Sequence, residues 1–594
     1  MRKSVETIPG FLLGILAVFT TSACAQNSNQ LWFAAYNGAP TPSADISVQN
    51  LPTDGSASAV ASHSAHVFIS QTNVPALSSP YDVAVDPAMG KVYVLDNNLD
   101  GYIPEYIYSF NISGSPAQIA ASKQIIYTMP LPAADVNPYP LLSSIALDPL
   151  RHLLYFNQID VTTATNSYLG RIDLTSSARS NTHSTNGGNP VIQTFHAGQI
   201  PGQGSIALDS TNVYLGAING NAGNSGVYTA ARDANGAFTE LVTVAAGDPD
   251  FTNGLAGGVA ADPQDHLIYF LTFNAGALNR NFALHQNALW VYDTSAHTTQ
   301  KLSSGYLGLP DNLAIDPANR RFYFTLGRDG TGNASPTNYQ AIYTGSLGSP
   351  NEPALLYSPS LNGQDIAGQA NAGNVALQGL FVVDAPAVSG VPASVPDLTP
   401  SNAVDLAPGL AVSDFSSTML SSATVTITAG TFTGDLLSAV TNNTAITASY
   451  DSTAATLALA GYDSLTNYQQ VLRTIAFSST NSNPTQNDTD VQRTITWSVS
   501  DGLLSSTPVQ TILNIGSGAT NQLNRISITS SANGWTLGYL GIAGQEYVVQ
   551  SAVSLPGPWS DISGTQTADV NGAITYLDST PSAPTRFYRV RTGP

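Results

Sequence analysis

One cysteine in 594 residues, Cys24, leaves no intrachain disulfide to hold this chain together. A chain processed before Gln26 has no cysteine at all, so buried area and stacking of like units must supply its stability. Charge is scarce as well, with Asp, Glu, Lys and Arg making up 10% of the residues. Acidic residues outnumber basic ones 39 to 19, and a net charge of −20 repels a phosphate backbone, which excludes a basic nucleic-acid face. Beyond the N-terminal segment no apolar run approaches the ~20 residues of a membrane-spanning helix. Catalytic signatures are missing too: there is no G-x-S-x-G elbow, no Walker loop and no H-E-x-x-H, and the eight histidines are scattered. Gly202-Gln-Gly204 formally opens a dinucleotide fingerprint, but it enters a strand with no helix after it.

What the chain does contain is one phrase written five times: VAVDPAMGKVYV from Val83, IALDPLRHLLYF from Ile145, IALDSTNVYL from Ile206, VAADPQDHLIYF from Val259 and LAIDPANRRFYF from Leu313. Its aspartates, Asp86, Asp148, Asp209, Asp262 and Asp316, recur every 53–62 residues, the mark of a repeat architecture. Each phrase is a hairpin. Asp caps the turn with its own side chain, Pro presets the next backbone angle, and an apolar strand with a Tyr follows. The third unit has a turn two residues shorter, which keeps Tyr214 on the same face because side chains alternate with period two.

Two more strand-like runs follow each hairpin, for example YIYSFNI from Tyr106 and QIIYTMPL from Gln124. Four antiparallel strands per unit predict the blade of a β-propeller, which hides its sheet edges by radial repetition. With these hairpins, residues 31 to 385 resemble the NHL, YVTN and YWTD-type propeller families, a resemblance that implies fold and not activity. Strand-like runs are left over at both ends: LWFAAYN, ADISVQN and HVFISQT early, NVALQ and LFVVD late. Joined, they predict a sixth blade closed by both termini of the repeat region. Seven blades is the alternative, if the N-terminal strands form one of their own.

Arg2 and Lys3, the apolar stretch Phe11 to Phe19 and Ala23-Cys24-Ala25 before Gln26 match the three parts of a secretory signal peptide, residues 1–25. A secreted or cell-surface protein is the expectation; lipidation of Cys24, tethering the chain to a membrane, is the rival reading. After the propeller, 26–385, a Pro- and Ser-rich stretch at 386–402 has linker composition. Residues 403–516 alternate strand-like runs with Ser/Thr/Asn turns, the pattern of an Ig-like β-sandwich, with one short helix expected at Leu465 to Ile475. Leu459-Ala-Gly461, Tyr468-Gln-Gln-Val-Leu-Arg473, Asn483-Pro484 and Arg493-Thr-Ile-Thr-Trp-Ser-Val-Ser-Asp-Gly502 resemble the cadherin-like repeats of bacterial surface proteins. Residues 517–594, with Trp535, Tyr547, Trp559 and Phe587-Tyr588-Arg589-Val590, resemble a C-terminal fibronectin type III-like module. The fold class is therefore all-β: a propeller followed by two β-sandwiches.

Candidate sites are few. Asp96-Asn-Asn98-Leu-Asp100-Gly101 places oxygen ligands at positions 1, 3 and 5 and Gly at 6, the spacing of a calcium loop. Ile107 stands where the bidentate Glu belongs, with Glu105 as its substitute, and the same residues make an ordinary turn. The cadherin-like resemblance implies calcium at Asp414 and Asp501, which also suit turn caps. The propeller channel is expected to open at Asp82, Ser143, Ser205, Gly258, Asn312 and Asn374. There Asp311-Asn312 resembles the carboxylates and amides that lactonase-like propellers set around a channel calcium. With no Glu and three Ser or Gly among the six positions, the rim points away from a metal hydrolase. The reading that follows is a binding or adhesion protein for an extracellular protein or glycan, with a channel hydrolase and a structural outer-layer protein as alternatives.

Overall fold

The structure, a computed structural model, describes residues 29–37, 43–51, 66–97, 105–129, 141–159, 168–175, 191–194, 205–217, 226–232, 238–242, 254–274, 288–304, 309–327, 342–347, 354–357, 375–397, 403–431, 433–481, 484–485, 490–515, 525–531, 533–542, 544–569, 572–579 and 585–593. Residues 1–25, expected from the sequence to be a signal peptide, lie outside them, Cys24 included.

The repeat region forms four-stranded antiparallel sheets in chain order. The first is Pro80–Asp86, Lys91–Asp96, Tyr106–Asn111 and Gln124–Thr128. The inner strands of the second to fifth are Leu141–Asp148, Ile206–Leu208, Gly254–Asp262 and Leu309–Asp316. A further sheet joins the ends of the region: Val375–Val383 pairs with Gln30–Asn37, which pairs with Ser43–Asn50 and then His66–Ser70. The inner strands touch one another in a closed circuit. Apolar side chains fill the gaps between adjacent sheets: Tyr93, Leu95, Leu154 and Phe156 pack between first and second, and Leu31, Phe33, Tyr323 and Ile342 between fifth and closing. Each fully buried aromatic or aliphatic side chain contributes roughly 1.5–3 kcal/mol.

The hairpin chemistry is as the repeat suggests. Met89 N donates to Asp86 Oδ1 at 3.0 Å, Arg151 N to Asp148 Oδ1 at 3.2 Å and Asn319 N to Asp316 Oδ1 at 2.9 Å, so the repeated aspartates cap turns. His152, His266 and Arg320 take positive φ at the same turns, which fixes the two histidines as framework. A sixth member escapes the sequence pattern. Asp384, before Ala385-Pro386, directly follows the closing inner strand, where Asp86 ends the first. No Tyr-bearing strand follows it, because its hairpin partner is supplied by Gln30–Asn37 at the other end of the region.

The second module is a sandwich. Six strands ordered Ser394–Asp397, Val509–Ile515, Gln492–Ser500, Met419–Ala429, Thr456–Ser464 and Thr447–Asp451 face a three-stranded sheet. Trp497, Ile495, Val425, Leu457 and Phe477 fill the space between. The helix runs Leu465–Arg473, with Ser464 Oγ accepting Asn467 N at 3.2 Å as its cap, and it buries Tyr468, Val471 and Leu472. The stretch of linker composition is not all linker: Ala387–Ser389 and Ser394–Asp397 are strands, the latter pairing in parallel at the sheet edge. An edge is where a strand tolerates proline, so Pro-rich composition misleads there. In the C-terminal sandwich Tyr539, Tyr547, Ala568 and Ile574 form the core, while Trp535 is 40% exposed beyond its last layer.

Candidate functional site

Four inner strands of the propeller, the first, second, fourth and fifth, carry a bulge near their entry, between Pro80 and Asp82, Leu142 and Ser144, Ala256 and Val259, and Pro310 and Leu313. A bulge turns the following side chain out of register and re-aims it. Here it is aimed sideways, at the next inner strand. Asp82 Oδ2 accepts Ile145 N at 2.9 Å and Ser144 Oγ at 3.0 Å. Ser144 Oγ in turn accepts Ile206 N at 3.0 Å, and Ser205 Oγ accepts Val259 N at 2.6 Å. Gly258 presses its Cα against Leu313 so closely that a Cβ would meet the Leu313 nitrogen at 2.5 Å. The belt returns to its start at Gly379, where a Cβ would meet Asp82 Cα at 2.5 Å.

The predicted rim is therefore a belt of clips. Asp82, Ser205, Gly258 and Asn312 stand where expected, Asn312 bonding Thr325 Oγ1 through its backbone N at 3.2 Å. Ser143 is off by one: it is the extra residue of the bulge, and Ser144 makes the clip. Asn374 lies outside the described residues, as does the side chain of Asp311. A cavity of about 210 Å³ runs through the belt. Its wall is mainly Val, Ile, Leu and Ala from the inner strands, with Asp82, Ser144 and Ser205 at one end and Asp384 at the other.

The sandwich closes that second end. Phe415 and Ser416 line the cavity beside Asp384. Asp384 N donates to Ser416 Oγ at 2.8 Å, and Tyr462 Oη donates to Pro149 O at 3.1 Å with its ring 5.5 Å from His152. Leu504 is buried among propeller residues of the first and closing sheets, and Gly502 lies flush on Pro87, where a Cβ would meet its carbonyl oxygen at 2.5 Å. The capped face is the one bearing the Asp turns. This contact was not legible in the sequence, since Phe415, Tyr462 and Leu504 come from three separate segments of the sandwich, Tyr462 from the strand Thr456–Ser464.

The structure separates the calcium candidates. Asp96 is committed to the protein, accepting Ser78 N at 3.0 Å, Ser79 N at 2.6 Å and Ser78 Oγ at 3.2 Å. Asn98 and Asp100 lie outside the described residues. Glu105 is buried and accepts Leu142 N at 2.5 Å; burial, more than the nearby Asp96 charge, pushes its carboxyl up to about 8. Asp414 Oδ1 accepts Ser416 N and Ser417 N, each at 2.9 Å, and Asp501 Oδ1 accepts Leu503 N at 2.8 Å and Leu504 N at 2.7 Å. Both therefore cap turns at the seam between sandwich and propeller. Burial raises both carboxyls, that of Asp501 to about 7, and the neighbouring Asp501 charge raises Asp414 further. Among the described residues no three His, Cys, Asp or Glu side chains converge as ligands. Asp96, Glu105, Asp414 and Asp501 each already accept backbone N–H groups, so chelation with EDTA is expected to leave the thermal midpoints unchanged; a fall that calcium reverses would overturn this.

Glu105 carries a second prediction. Its carboxyl holds a proton more tightly folded than unfolded, so its contribution is complete below the ordinary carboxylate range and is lost as pH rises to about 8. Glu105→Gln should match the parent near pH 5 and melt at a higher temperature at pH 9. Parallel melting curves across that range would refute it.

No protein-family model and no curated protein matches the chain. Solved structures similar to it include one titled as a nidogen/laminin complex, at 14% identity and TM-score 0.38, covering 60% of this chain and 98% of that one. The periplasmic gluconolactonase of Pseudomonas aeruginosa is similar at 12% identity and TM-score 0.35, covering 59% and 99%. The GH74 enzyme of Niastella koreensis is similar at 13% identity and TM-score 0.31, covering 88% and 71%.

Proposed function

We propose that the protein is a secreted or cell-surface binding protein that recognises an extracellular protein or glycan with the uncapped face of its propeller. The observation that carries this reading is the fate of the channel groups. Asp82, Ser144 and Ser205 are spent on clipping neighbouring strands, and Phe415 and Ser416 line the other end, so among the described residues these channel groups are engaged with the protein itself rather than left converging on the cavity. The sequences 160–167, 218–225, 328–341 and 358–374, which connect strands of the propeller, are rich in Asn, Ser, Thr and Gly. Such residues supply adaptable hydrogen bonding in recognition loops. The sandwich then serves as cap and spacer, and the C-terminal module extends the chain beyond it.

The full-length protein on a glycan array, run beside a panel of sugar lactones and β-glucan oligosaccharides, tests this. Saturable binding without turnover, abolished by replacing 328–341 with a Gly/Ser linker, is the expected result. Turnover that disappears with Asp82→Asn would instead favour a channel hydrolase, and neither binding nor turnover would favour a structural outer-layer component.

A further inference from the structure

The seam between the second and third sheets differs from the others in what fills it. Two residues after each hairpin tyrosine, on the same face of the strand, stand Leu95, Asn157, Gly216, Leu271 and Thr325. Leu95 and Leu271 are 0% exposed and fill apolar seams, and Thr325 Oγ1 is engaged by Asn312 N at 3.2 Å. Asn157 is 0% exposed as well, yet neither atom of its amide has a hydrogen-bond partner. Leu169 on the neighbouring strand, with Ile206 and Leu215 of the third sheet, makes the apolar wall of this seam.

Three more buried polar atoms without partners lie on the residues around it. Ser143 Oγ belongs to the extra residue of the second bulge, across the ladder from Asn157. Tyr155 Oη is on the same face as Asn157 and nearer the Asp turn, its ring packed with Val213 and Leu215 of the third sheet. Arg232, 5% exposed, follows the strand Gly226–Ala231 and reaches back to the second sheet. Its Nη2 pairs with Asp148 Oδ2, its Nη1 donates to Asp209 O, and its guanidinium lies 5.4 Å from the Tyr155 ring, while Nε has no acceptor.

Buried polar groups are bonded to protein, water or ligand with few exceptions, so four such side chains along one seam point to a bound group. They offer donors and acceptors together: an amide, two hydroxyls and one guanidinium N–H. A hydroxyl both donates and accepts, and matches that set. An ion does not, because Asp148 already neutralises Arg232 and amides and hydroxyls carry no charge to offset its desolvation. We propose that the seam between the second and third sheets is a subsite for a neutral sugar. Its hydroxyls enter beside Ser143, at the strand entry on the uncapped face, and bond the Asn157 amide, with Tyr155 Oη and Arg232 Nε deeper along the same seam. The proposal rests on the reading of that face as a recognition surface and names the class of glycan it takes. Buried water is the other source of the same hydroxyl chemistry.

Titration calorimetry of the full-length chain with glucose, galactose and mannose, each beside its uronate, tests the subsite. At least one neutral sugar should bind saturably, and its uronate about tenfold more weakly or not at all. Asn157→Leu should lower the affinity about tenfold or more, and Tyr155→Phe severalfold, as buried hydrogen bonds are lost. Leucine is the residue that Leu95 and Leu271 supply at this position, so Asn157→Leu should keep or raise the melting midpoint. No binding of any neutral sugar, with water alone beside Asn157 in a crystal structure, would overturn the subsite. Binding undiminished in both variants would overturn it too, while leaving the recognition face standing; loss on replacing 328–341 alone would then place the sugar on that loop. If Asn157→Leu fails to fold, Tyr155→Phe, which removes a single oxygen, distinguishes these outcomes.

Discussion

Replacing Arg493 with methionine is expected to destabilise the sandwich by about 3–5 kcal/mol, the usual cost of removing one partner from a buried ion pair. The Arg493 side chain is 0% exposed, and its Nε donates to Asp435 Oδ2 at 2.6 Å. Its other nitrogens donate to Pro484 O at 2.7 Å and Gln492 O at 3.1 Å, with Asp490 Oδ1 at 3.2 Å. Methionine fills much of the volume but satisfies none of these acceptors, and a buried carboxylate would lose its guanidinium. The effect should appear in calorimetry as a lower midpoint of the sandwich transition, by roughly 15 °C, with the propeller transition nearly unmoved. The double variant Arg493→Met, Asp435→Leu should recover most of the loss, since removing both partners of a buried pair is often neutral or better. A single-variant loss below about 1 kcal/mol, the range of an exposed pair, would show that solvent screens the pair.

Gly379→Val is expected to open the ring. Gly379 is the extra residue where the closing strand shifts register against Phe33 and Ala34, at φ +54, and a Cβ there would lie 2.5 Å from Asp82 Cα. A left-handed backbone at a β-branched residue and a clash with main chain add, for a loss of roughly 3 kcal/mol or more. The colliding atom is backbone in the first inner strand and cannot rotate away. Gly544→Ala is the control: it shares a positive φ of +76 but has nothing within 4 Å, so it should lose only about 1 kcal/mol. Equal losses in the two variants would mean that backbone strain alone, and not the approach of the two strands, makes Gly379 necessary.

Candidate-site residues were less legible than the fold. Asp82 and Ser205 could be placed at the channel mouth by counting back from the Asp turn, but their role could not. Whether a rim hydroxyl faces a ligand or a neighbouring strand's N–H depends on how closely two sheets approach. Ser143 was displaced by Ser144 because a bulge adds one residue, and bulges leave no period to count. Asp384 was missed for a related reason: its hairpin partner is some 350 residues away in sequence.

The sequence alone determined the elements whose chemistry is local. An Asp-Pro turn between two alternating runs makes a hairpin wherever it occurs, five spaced copies make a repeat, and unpaired strands at both ends have only each other to pair with. Ser464 starts a helix, and Asp501-Gly502 makes a turn. Tertiary structure alone decided what those elements do to one another: that rim side chains clip neighbouring strands, that the sandwich lines one end of the channel, and that Asp316, Asp384 and Asn29 meet. These depend on distances between segments far apart in the chain, where a shift of one ångström exchanges a hydrogen bond for a clash, and no local pattern of residues records such a distance.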